Sequence, residues 1–141
     1  MLRKLKGLMT VVCFWATANV GSSKAVTLGT IALAAGSGNP NNYTLNTANM
    51  NVTQRVIHLD GIRAYDATTN VLSSDITTFG NIVSGETLTI SGTGSVGTNS
   101  VAMNKTITTG SLALGNGSGL ASNYTLTGGT HTFDISPVSV N

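Results

Sequence analysis

Residues 24–45 and 105–126 are two copies of one segment, 105 − 24 = 81 residues apart. Lys24-Ala-Val-Thr-Leu-Gly-Thr-Ile-Ala-Leu-Ala-Ala-Gly-Ser-Gly-Asn-Pro-Asn-Asn-Tyr-Thr-Leu45 falls on Lys105-Thr-Ile-Thr-Thr-Gly-Ser-Leu-Ala-Leu-Gly-Asn-Gly-Ser-Gly-Leu-Ala-Ser-Asn-Tyr-Thr-Leu126, with 12 of 22 positions identical. Most other positions keep their class: Val26 becomes Ile107, Thr30 becomes Ser111 and Ile31 becomes Leu112. A fixed offset of this size means that each copy builds the same supersecondary unit. The 141 residues then hold the second half of one unit at 19–53, a complete unit at 54–137, and the start of a third at 138–141.

Within a unit, short apolar alternations lie between turn clusters. Val26 and Leu28, Ile31 and Leu33, Val52 and Val56, Leu88 and Ile90, Leu112 and Leu114, and Phe133 and Ile135 are spaced as half-buried strands require. Between them lie Gly36 to Asn42, Gly92-Thr-Gly94 and Gly115-Asn-Gly-Ser-Gly119, which read as turns. Composition agrees: 22 Thr, 14 Ser, 14 Asn and 17 Gly make 67 of 141 residues, so strand and turn formers dominate. With 9% charged residues and 2 Pro, the chain is neither solvated disorder nor a proline-rich linker. The expected fold is all-β, an antiparallel β-sandwich of Ig-like or related type, one repeat unit complete and one partial.

The N-terminus reads differently from the body. Met1-Leu-Arg-Lys-Leu-Lys6 is a basic n-region, Leu8 to Trp15 is a short apolar stretch, and Ala16-Thr17-Ala18 has the small-x-small form of a cleavage site. Residues 1–18 are therefore expected to be an export signal, against the alternatives of a buried first strand or a misplaced start. The product is expected to be exported, with no membrane span in the mature chain. Cys13, the one cysteine, lies inside this segment, which excludes a disulfide framework from the rest. From Asn19 onward, four cations face five carboxylates, 4 − 5 = −1, so no basic stripe exists to track nucleic acid.

The chemical motifs are weak. Gly92-Thr-Gly94-Ser-Val-Gly97 spells a dinucleotide fingerprint, but Thr98-Asn-Ser-Val101 starts no helix and the next acid is Asp134. The glycine clusters lack the aspartates of calcium-binding β-rolls. His58 and His131 are far apart and read as surface or edge strand residues, and no two carboxylates sit as an acid and base couple. Five sequons, at Asn42, Asn51, Asn104, Asn116 and Asn123, follow from the wealth of Asn and Thr. No catalytic, cofactor-binding or metal-ligating residue is assigned, and an enzyme is not expected.

Five segments in order carry a family resemblance: Gly61-Ile-Arg-Ala-Tyr65-Asp66-Ala67-Thr-Thr-Asn70, Ile82 to Gly94, Val96-Gly97, Gly119-Leu-Ala-Ser-Asn123-Tyr124-Thr-Leu126 and Phe133-Asp-Ile-Ser-Pro137. Residues 54–137 resemble the YDG repeat of large bacterial exoproteins similar to filamentous haemagglutinin, and residues 19–53 resemble the tail of a preceding copy. Ala67 stands where the family's name-giving glycine belongs, and the first copy lacks its Tyr-Asp segment. The resemblance implies a non-catalytic structural and display module of an adhesin that is secreted or held at the bacterial cell surface, associated with the outer membrane, with neighbouring repeat units as partners and host or surface glycans or proteins as ligands. It also implies that the chain is a fragment of a longer repeat protein.

Tyr65 with Asp66, Asn42 with Tyr43, and Asn123 with Tyr124 are read as structural. Each ring is expected to fill a core short of aromatics, each hydroxyl to find a backbone partner, and Asp66 to cap the turn through Ala67 and Thr68. The alternative function is a carbohydrate-binding β-sandwich module, which needs solvent-facing rings as a platform.

Overall fold

The computed structural model describes residues 17–27, 32–33, 37–44, 46 and 49–140. The expected n-region, the apolar stretch, Cys13, Leu28 and Ile31 lie outside the described residues. The chain divides into two units, Met1–Thr53 and Gln54–Asn141.

In the first unit, β1 (Gly21–Ala25) pairs antiparallel with β2 (Asn49–Val52). A 3-10 turn at Pro40–Asn42 lies between them in sequence. Proline at the start of this turn spares a donor, and Asn39 Oδ1 accepts the Asn41 N–H at 3.0 Å. Val26 is the only buried hydrophobic among this unit's described residues.

The second unit is wholly β apart from 3-10 turns: β3 (Arg55–Val56), β4 (His58–Ala64), β5 (Asn70–Leu72), β6 (Ile76–Gly80), β7 (Leu88–Ser91), β8 (Thr93–Val96), β9 (Ala102–Thr108), β10 (Ala113–Asn116), β11 (Tyr124–Thr125) and β12 (His131–Ser136). Six strands form one curled sheet in the order β5-β8-β9-β12-β4-β6. The smaller pairs β7 with β10 and β3 with β11 bring Leu88, Ile90, Leu114 and Tyr124 to the same core. The fold is all-β, as composition indicates.

The purely antiparallel arrangement expected from sequence is corrected by two pairings. β4 runs parallel to β12, from His131 beside Leu59 to Ser136 beside Ala64, and β3 runs parallel to β11. Parallel neighbours need a long crossover, and everything from β5 to β10 serves as one. The unit is therefore closed by pairing its first strands with its last.

Phe133, Ile57, Leu59, Ile135 and Val71 are the largest fully buried side chains. Phe133 and Gly61 are register partners, and the ring lies where a Cβ on Gly61 would come within 2.8 Å of it. A bare backbone under an aromatic ring is a compact way to fill a sheet face. The Gly92-Thr-Gly94 turn is also corrected in part: Gly92 turns the chain at φ 90°, but Gly94 is buried inside β8. A Cβ on Gly94 would approach the Thr108 carbonyl to 2.8 Å, so that glycine is required by packing.

Candidate functional site

The Tyr-Asp segment forms a side-chain-capped turn at the end of β4. Asp66 Oδ1 accepts the Thr68 N–H at 2.9 Å and the Thr68 hydroxyl at 3.0 Å, the Asx-turn arrangement. Ala67, in the glycine position of the family, has φ 65°, and the Asn99 amide donates to its carbonyl at 2.9 Å. The left-handed region is strained for alanine and free for glycine. Arg63 locks the turn: its Nη2 lies 3.0 Å from Asp66 Oδ1 and donates to the Thr68 carbonyl at 2.5 Å, and Nη1 donates to the Asn70 carbonyl. The guanidinium also sits 5.7 Å from the centre of the Phe133 ring. The Thr68 N–H holds the Asp66 carboxyl below its ordinary value, with burial opposing and Arg63 assisting.

Tyr65 does not fill the core. The inward positions of β4 are Leu59, Gly61 and Arg63, and Arg63 already covers the end of the core, so Tyr65 is 42% exposed and is held by its N–H to the Ser136 carbonyl at 2.8 Å. Asp66 takes the capping role expected of it.

Asn42-Tyr43 and Asn123-Tyr124 occupy the same local structure 81 residues apart. Each Asn ends a 3-10 turn and each Tyr follows it in extended conformation, at φ −132° and −125°. Each Tyr N–H bonds back three residues, to the Pro40 carbonyl or the Ala121 carbonyl. The Asn N–H groups reach the Asn39 carbonyl at 3.1 Å and the Leu120 carbonyl at 3.0 Å. The rings then diverge: Tyr124 is 4% exposed and Tyr43 is 65% exposed. Tyr124 Oη donates to Glu86 Oε2 and accepts the Val83 N–H at 3.4 Å. Burial first, and the bond to Glu86 second, push the phenol above its ordinary value of 10. At an offset of 81, Glu86 and Val83 correspond to Leu5 and Leu2, and neither is a carboxylate. The expectation of a core ring thus fails for Tyr43.

Sequence reasoning misses two devices that both units share. In the first, β1 and β9 carry one extra residue against β2 and β12: Gly21 to Lys24 spans Val52 to Met50, and Ala102 to Lys105 spans Ile135 to Phe133. The bulged residues Ser23 and Asn104, 81 apart, have φ 51° and 54°. Each N–H is taken by a carboxamide or carboxylate oxygen of the partner strand, Asn51 Oδ1 at 2.8 Å and Asp134 Oδ1 at 2.7 Å. The partner strand is shifted by two residues between the copies, which keeps the same face inward.

In the second device, Lys24 Nζ donates to the Thr17 carbonyl at 2.6 Å and the Thr17 hydroxyl at 3.1 Å, and reaches the Asn19 carbonyl. Lys105 Nζ donates to the Thr98 hydroxyl at 2.8 Å and the Ser100 carbonyl at 3.1 Å, and Thr98 and Ser100 are the 81-residue counterparts of Thr17 and Asn19. The geometric correspondence of the copies therefore includes Thr17 and Asn19, ahead of the aligned segments. The signal for it is Lys24 and Lys105 heading the aligned segments with Thr seven residues before each.

The motifs weighed for chemistry have structural roles. His131 is buried, which corrects its reading as a surface or edge residue. Its Nε2 contacts the Leu126 carbonyl at 3.0 Å and so carries the proton, leaving Nδ1 to accept the Leu59 N–H at 3.2 Å. His58 Nδ1 accepts the Thr130 N–H at 2.9 Å. Gly92 to Gly97 is a turn and a strand, with no helix N-terminus to receive a pyrophosphate. Among the described residues no group of three or more His, Cys, Asp or Glu is placed to hold a metal ion, and no helix is long and apolar enough to cross a membrane. An open depression of about 400 Å³ is lined by Leu112, Leu114, Ala121, Tyr124 and Leu126.

A bulged β unit closed by its own end strands, preceded in sequence by a second copy of its C-terminal half, defines a repeat module. The chain belongs to the YDG domain family, which it matches over residues 51–132, 82 of its 141 residues. No curated protein matches it, and no solved structure does.

Proposed function

We propose that this chain is a non-catalytic structural and display module of a secreted or surface-exposed bacterial exoprotein of the filamentous haemagglutinin-like kind. The observation that carries this reading is the second, partial copy of the YDG unit, built with the same bulge and the same lysine clip. Quasi-linear arrays are built by stacking such units, and stacking is a way to hold a ligand-bearing region away from a surface. The finer fold reading, an Ig-like or related sandwich in each unit, draws support from the β7–β10 pair, which shares a core with the curled sheet.

Residues 1–18 are the export signal in this reading. Expression in a bacterium with a Sec pathway, followed by intact-mass analysis, tests it. A periplasmic or secreted product beginning near Asn19 is expected, and a full-length cytoplasmic chain retaining Met1 contradicts it. Cleavage after Ala18 would remove Thr17, so Lys24 would then be clipped through Asn19 alone.

The exposed rings of Tyr65 and Tyr43 favour a second reading, a carbohydrate-binding module. A glycan array separates the two. Binding that is lost in Tyr65→Ala or Tyr43→Ala selects the binder, and a blank array selects the spacer.

A further inference from the structure

The second unit shows what covers the open side of its own C-terminal half. β3 lies parallel to β11, and β4 lies parallel to β12 on the side away from β9. Ile57 donates its N–H to the Thr125 carbonyl at 2.8 Å, and Ile57 and Leu59 are fully buried. In the first unit the counterparts of β11 and β12 are Tyr43-Thr44 and β2. Among the described residues β2 pairs with β1 alone. Pro137-Val138-Ser139-Val140, in turn, fall on Val56-Ile57-His58-Leu59 at the same offset of 81, apolar on apolar at each inward position. Val138 is 54% exposed and Val140 is 95% exposed, where Ile57 and Leu59 are at 0%.

We infer that residues 137–140 of one copy of this chain dock beside Tyr43-Thr44 and β2 of another copy, as β3 and β4 dock beside β11 and β12. Val138 N–H then meets the Thr44 carbonyl, and Val140 lies next to Met50, the counterpart of His131. Pro137 is compatible with this ladder. Only alternate residues of a strand face a given neighbour, and the Val56 carbonyl, at the position of Pro137, is turned the other way, accepting the Asn81 amide at 2.7 Å. Head and tail are different surfaces, so the contact is heterologous and propagates into open chains of molecules end to end. The inference holds whether or not the protein is exported, because it rests on the two copies alone.

The test is sedimentation of the full chain from about 10 μM to about 1 mM, the range in which a short strand contact is populated. The average mass is expected to rise steadily beyond the monomer. A Val138→Asp, Val140→Asp double variant, which changes only exposed positions, is expected to stay monomeric with unchanged thermal unfolding. Thr44→Pro, which removes an N–H from the receiving strand, is expected to stay monomeric as well. A mixture of the two variants retains one intact head and one intact tail and is expected to stop at dimers. A wild-type chain that is monomeric throughout, a double variant that associates as the wild type does, or a mixture that forms no dimer overturns the inference.

Discussion

Tyr43 and Tyr124 follow the same 3-10 turn with the same backbone, yet one ring is in solvent and the other is in the core. Local sequence therefore sets the turn, and the rest of the unit sets the burial. The bulge at Ser23 and Asn104 and the clips of Lys24 and Lys105 belong with the turn, since all their partners come from the same half. The hydroxyl of Tyr124 depends on Val83 and Glu86, and β12 depends on β4, which belong to earlier parts of the unit. The half unit keeps these local devices, and among its described residues Val26 alone is a buried hydrophobic.

The comparison is broken most sharply at the positions of Phe133 and Val52, 81 residues apart. Phe133→Ala should destabilise the second unit by about 3–5 kcal/mol, because it opens a cavity over Gly61 and removes the ring beneath Arg63. Val52→Ala, at a half-buried site, should leave denaturant unfolding almost unchanged. Equal losses at the two sites would mean that both halves have a core.

Tyr124→Phe is expected to cost about 1–3 kcal/mol, since it strands the Val83 N–H and the Glu86 carboxylate in a partly buried place, and Tyr43→Phe should cost nothing measurable. The pH dependence sharpens this. The phenol of Tyr124 ionises less readily folded than unfolded, so its contribution is complete below pH 10 and is lost as pH rises through the higher folded value. Wild-type stability should fall on that alkaline limb, and Tyr124→Phe should flatten it.

Ala67→Gly should be a smaller, stabilising change of about 0.5–1 kcal/mol, because it relieves a left-handed alanine and restores the family's glycine. Thermal unfolding measures it, and no gain would mean that Asn99 and Asp66 already absorb the strain. The smallest effect lies at Asp66. Its carboxyl is held low in the folded state, so its contribution is present above pH 3.8 and is lost as pH falls through the folded value. Asp66→Asn should remove that acid-side dependence and little else.

Much of this architecture is legible in sequence, for reasons that differ by element. β7, β10 and β12 are legible because Leu88, Leu114 and Phe133 head or continue clean period-two alternations. β4 is not, because its inward positions are Leu59, Gly61 and Arg63 while Ile62 faces solvent. No local pattern marks a glycine that lies under a ring 72 residues away. Parallel pairing of β4 with β12 is hidden for the same reason, since register across a crossover leaves no periodicity in either strand. Of the site residues, Asp66 is legible from turn chemistry and Asn42 and Asn123 from the repeat. The exposure of Tyr65 and Tyr43 is not, because a ring's burial depends on neighbours that its own segment does not contain.

Amide hydrogen exchange of β2 and β12 in the dilute full chain tests the central claim, that a YDG unit is closed by pairing its first strands with its last. The N–H groups of Thr132 to Ser136 should exchange only with global unfolding of the second unit, while those of Asn49 to Val52 should exchange near the rate of an open chain, by local opening. Equal, high protection in both strands of a monomer would show that residues 17–53 complete a fold of their own, and would contradict the account.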